Sequence, residues 1–75
     1  MKYELNQKLG KAGFPYWTGE EPTLSELIEA CGKGFWELTK YPSRWGAYEW
    51  KGREGSGSTP EEAVANLWLA LQSNK

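Results

Sequence analysis

The 75-residue chain contains no histidine, a single cysteine and a single methionine. Without histidine, the side chain that most often moves protons near neutral pH is missing, and so is the commonest nitrogen ligand of zinc. Cys31 alone can neither close a disulfide within the chain nor complete a zinc site, which points to an intracellular, metal-free protein with no cofactor. Long apolar runs are also missing. The opening MKYELNQKLGKAG mixes charged and apolar residues, so neither a signal peptide nor a membrane span can be drawn. Net charge is close to balance at -1, which excludes a uniformly basic nucleic-acid binder.

Aromatic residues are abundant instead: five Trp, four Tyr and two Phe. One domain of this length buries only about 60% of the surface its unfolded chain exposes, and large rings raise the buried area available per residue. Charge divides unevenly. Lys33, Lys40, Arg44, Lys51 and Arg53 face only Glu37 and Glu49 in residues 33–53, leaving that middle segment basic between two acidic flanks.

Tyr3, Leu5, Leu9 and Ala12 fall near one face of a short first helix, interrupted by Gly10, with Gly13 suited to a left-handed C-terminal cap and Pro15 beyond. Residues 15–22, PYWTGEEP, read as a linker that lays Tyr16 and Trp17 over the core. Thr23 and Glu26 then form a T-x-x-E capping box, Leu24, Leu27, Ile28 and Cys31 recur at helical spacing, and Gly32 or Gly34 ends the helix. Cys31 therefore faces the core as a structural thiol.

FWELTK and WGAYEWK, separated by a Pro-Ser turn, predict an antiparallel hairpin, with Tyr48 and Trp50 on one side and Trp45, Ala47, Glu49 and Lys51 on the other. GSGS reads as a loop leading into a last helix. There Thr59, Pro60 and Glu62 fit N-cap, N1 and N3 of a second capping box, followed by a stripe of Val64, Leu67, Trp68 and Leu71 with Ala63 and Ala70 beside it. A phosphate cradle at this glycine-serine loop is disfavoured, because Glu61 and Glu62 stand where the anion would sit. The expected fold is α+β, one small domain over residues 1–75 in the order α-α-β-β-α. It comprises a short helix within 1–14, a linker over 15–22 and a helix-hairpin-helix core over 23–75, with a short third strand left open.

Three resemblances follow from these motifs. The order helix, hairpin, glycine-serine loop and alanine-rich helix resembles a double-stranded RNA-binding domain, although the lysine-rich helix start of that family is replaced by Thr59, Pro60, Glu61 and Glu62. Gly57 to Asn66 resembles the G-x-T-x-E-E-A-x-x-N helix of HicB-type antitoxins. Over nearly its whole length, through GFPYW, LSELIEACG, FWELTK and TPEEAVANLWLAL, the chain resembles small phage and prophage proteins of unknown function. That resemblance implies a virus-encoded accessory protein in a bacterial cytoplasm, with counter-defence among its roles.

The absence of histidine and the scattered carboxylates argue against catalysis. A tryptophan-rich interaction module is expected instead, with Tyr41, Arg44, Trp45, Tyr48, Lys51 and Arg53 on the hairpin as the candidate surface. The expected partner is a host protein or a second copy of the chain. The alternatives are a nucleotide-like small molecule held as by a sponge, or a weak contact with nucleic acid, and a membrane is not expected.

Overall fold

In the computed structural model, which describes residues 2–73, the chain runs α1 (Tyr3–Lys11), α2 (Leu24–Cys31), a 3-10 turn (Gly32–Gly34), β1 (Phe35–Lys40), β2 (Trp45–Glu49), β3 (Glu54–Gly57) and α3 (Pro60–Ser73). The class is α+β, and the short third strand is present. It lies in the glycine-serine stretch that reads as a loop, so the order is α-α-β-β-β-α. The three strands form one antiparallel sheet in the order β1-β2-β3.

Helix α3 determines why that strand is built from glycine. It lies mainly over β3 and β2, and Ala63, Val64, Ala65 and Leu67 are fully buried. Gly55 and Gly57 are the β3 residues turned toward it. A Cβ at Gly55 would run into the Leu67 N–H and the Ala63 carbonyl, and one at Gly57 would come within 2.5 Å of Glu62 Cβ. Strand and helix therefore meet backbone to backbone, a distance only glycine permits. Asn66 secures the contact from the helix side by donating to the Ser56 carbonyl at 2.7 Å. Of the expected stripe, Val64, Leu67 and Trp68 are buried and Leu71 is half-buried.

Both helix starts carry threonine caps, with different outcomes. At α2 the capping box is complete: Glu26 N–H donates to Thr23 Oγ1 at 3.2 Å, and Thr23 N–H donates to Glu26 Oε1 at 2.9 Å. At α3 only half of the expected box forms. Glu62 N–H donates to Thr59 Oγ1, but the Glu62 carboxylate passes over the cap and accepts from Ser58 N–H at 3.0 Å and Ser58 Oγ at 2.6 Å. Lys2 N–H reaches the other oxygen at 3.2 Å, tying the beginning of the chain to the last helix.

In α1, Leu9 is fully buried and Leu5 half-buried, whereas Tyr3 and Ala12, expected on the same face, are exposed. A nine-residue helix has too narrow a buried stripe to include them. Gly10 has a packing purpose, because a Cβ there would fall 2.7 Å from the Trp17 ring. The indole lies across the helix at that point and donates from Nε1 to the Asn6 carbonyl at 3.1 Å. Gly13 closes the helix with φ of 85°. Phe14 then enters the core and meets Trp68 edge to face at 5.1 Å between ring centroids. Leu9 and Phe14 thus share one core with Leu27, Cys31, Ala47 and the buried face of α3.

Candidate interaction surface

The helices cover one face of the sheet, and strand alternation assigns each residue to a face. Leu38 opposite Ala47 opposite Gly55, and Trp45 opposite Gly57, turn toward the helices. The rows Glu37, Tyr48, Glu54 and Thr39, Gly46, Ser56 cross the other face, over which no described helix lies.

Gly46 shapes that open face. Its missing side chain leaves room for the rings of Tyr41 and Tyr48, since a Cβ would come within 2.7 Å of the Tyr48 hydroxyl and 3.0 Å of Tyr41 Cε2. The two hydroxyls share a short hydrogen bond, and the Arg44 guanidinium sits 4.4 Å from the centroid of the Tyr41 ring. The bond to Tyr48 is the main cause that holds the Tyr41 phenol above its usual 10, with smaller contributions from desolvation and from the field of Tyr48, partly offset by Arg44. At the other end of the sheet stand Trp36, at a β-bulge in β1, and Trp50, just past β2. They are 69% and 62% exposed.

The expected surface residues therefore separate. Tyr41, Arg44 and Tyr48 come together at the turn end of the open face. Trp45 lies on the helix side, half-buried against the core, with Lys40 Nζ 5.9 Å from its ring. Lys51 is exposed and lies 5.6 Å from the centroid of Trp50. Arg53 approaches Glu49, a nearly buried carboxylate on the helix side, at 3.9 Å. Nothing in the sequence signals the exposure of Trp36, because Leu38 at i+2 in FWELTK reads as an apolar neighbour on the same face and only the bulge breaks that alternation. The break is one residue long, and only the register shows it.

The glycine-serine loop holds an anion of the protein's own. A shallow polar groove of ≈ 310 Å³ runs beside it, lined in part by Lys2, Lys8, Ser58 and Asn66, and Glu62 fills its anionic position. The Ser58 hydroxyl bond, with the Ser58 and Lys2 N–H groups behind it, holds the Glu62 carboxyl below its usual 4.5. Cys31 is buried, 4.0 Å from the Val64 carbonyl, and desolvation together with the field of Glu49 pushes its thiol up to about 12. No group of three or more candidate metal ligands occurs among the described residues, and no helix among them is long and apolar enough to cross a membrane. No protein family, curated protein or solved structure matches the chain.

Proposed function

We propose that the protein is a non-catalytic interaction module, a phage-type accessory protein that docks a bacterial host protein on the open face of its sheet. The observation that carries this reading is the exposure of Trp36 and Trp50 at one end of the sheet, with the Tyr41, Tyr48 and Arg44 cluster at the other, on a sheet whose helix-covered face already supplies the core. Large rings and arginine contribute most per residue to protein interfaces, and two tryptophans this exposed bury little area within the fold. Glu37 and Glu54 flank Tyr48 across the strands, which disfavours a phosphate chain stacked along the middle of the face. Counter-defence fits such a module, because blocking a host protein by occupancy requires no chemistry.

Capture from bacterial lysate with mass spectrometry of proteins and small molecules, followed by titration of the purified partner, tests this. A Trp36→Ala/Trp50→Ala variant should keep the thermal midpoint and lose binding by about tenfold or more. Recovery of a nucleotide or nucleic acid in place of a protein, or equal binding by the variant, would reject the reading.

A further inference from the structure

Strand β1 is an edge of the sheet, and among the described residues nothing outside β2 hydrogen-bonds the backbone of residues 36–40. The ladder identifies which groups are left over. Tyr41 N–H donates to the Arg44 carbonyl at 2.8 Å, and Glu49 N–H donates to Arg53 rather than to β1. Antiparallel strands alternate between bonded and non-bonded pairs, so Thr39 and Glu37 bond β2 while Leu38 and Lys40 turn their N–H and C=O groups to the free edge. The β-bulge at Trp36 ends this regular edge on one side. Pro42, which has no N–H, ends it on the other.

The usable window, residues 37–41, is centred on Thr39, with its two outward-bonding residues placed symmetrically about that centre. We propose that two copies of the chain pair antiparallel through β1 across a two-fold axis at Thr39, giving a continuous six-stranded sheet. In this register Leu38 of each copy exchanges both main-chain hydrogen bonds with Lys40 of the other. Thr39 faces Thr39, a favourable cross-strand pair. The two Lys40 ammonium groups stay apart, each opposite a leucine. Glu37 falls opposite Tyr41 of the second copy, whose ring carries the Arg44 guanidinium 4.4 Å from its centroid, so the axis generates two matched pairs of opposite charge. Leu38, half-buried within one copy, gains cover from its counterpart strand, and α3 leaves the edge accessible because it lies mainly over β3 and β2. The pairing rests on the main-chain groups of the β1 edge, and at its ends it shares Tyr41 and Arg44 with the open-face cluster.

Sedimentation equilibrium over a wide concentration range tests the association, and variants test the register. Thr39→Glu sets two carboxylates against each other and should weaken dimerisation about fivefold or more. Lys40→Pro removes one outward donor per chain without touching the β1–β2 ladder and should weaken it about tenfold or more. Thr39→Cys should cross-link under mild oxidation while Ser56→Cys, on the far strand, does not, with the buried Cys31 silent in both. A chain monomeric at every soluble concentration overturns the proposal, as does a dimer indifferent to Thr39→Glu. If Lys40→Pro fails to fold, the Thr39 variants decide alone.

Discussion

A carboxylate can take the position a bound anion would hold at a helix start, and Glu62 does so here. Its partners are Ser58 N–H, Ser58 Oγ and Lys2 N–H, so Glu62→Ala should cost about 1 to 2 kcal/mol, a charged acceptor being lost from three partly solvated donors. The folded-state pKa lies below the usual 4.5, so the carboxylate contributes stability above that value and loses it as pH falls through the lowered one. Thermal midpoints at pH 7 and pH 3 should differ less in Glu62→Gln than in the unaltered chain. Cys31 has the opposite sign. Its folded thiol stays protonated up to about 12 while the unfolded thiol ionises near 9, so its contribution is intact below pH 9 and declines between those values. At pH 8 iodoacetamide should leave the native thiol unmodified and alkylate it once denaturant is added. The T-x-x-E and apolar spacing around Cys31 made its burial readable in the sequence. The reach of Glu62 to Ser58 was not, because the same letters T-x-x-E at Thr59 also allow a closed box, and only the placement of the loop selects between them.

At the scale of elements, strand β3 shows where pattern reading fails. Strands are recognised by β-branched and aromatic side chains at alternate positions, yet the inward positions of this one must be empty for α3 to approach. The glycines that signal a loop are what the packing requires. Gly55→Ala should therefore abolish folding or cost well above ~3 kcal/mol, since the displaced atoms are helix backbone, and circular dichroism on heating would show it. Gly57→Ala should also destabilise, its Cβ meeting Glu62 Cβ at 2.5 Å and helix backbone at 2.9 Å, but less than Gly55→Ala, whose Cβ would lie closer still to the Leu67 nitrogen. Helix α3 itself was readable from its amphipathic stripe, and Trp68→Ala should cost ~3–5 kcal/mol by opening a void beside Phe14. An unchanged thermal midpoint in that variant would contradict the packing described.

For the whole molecule, the division of labour between the two faces of the sheet decides where a partner can bind. Composition and periodicity place aromatic and basic residues on the hairpin, but assigning each to a face needs the register, and the bulge at Trp36 shifts that register by one residue at one end of β1. Arg44 and Trp45, adjacent in the sequence, lie on opposite faces by strand alternation, one stacked on Tyr41 in solvent and the other against the core. Removing both at once would mix a binding defect with a folding defect. Substituted singly, they separate: Trp45→Ala should lower the thermal midpoint through lost packing while the correctly folded fraction keeps its affinity for the captured partner. Arg44→Ala should leave the midpoint within about 0.5 kcal/mol of unfolding stability, as an exposed position does, and weaken capture. Gly46→Ala extends the same test without removing any contacting side chain, because its Cβ would push apart the Tyr41 and Tyr48 rings and release Arg44 from its stacked position. Reduced partner affinity in Gly46→Ala and Arg44→Ala, alongside full affinity in folded Trp45→Ala, would assign binding to the open face; the reverse order of effects would assign it to the helix side.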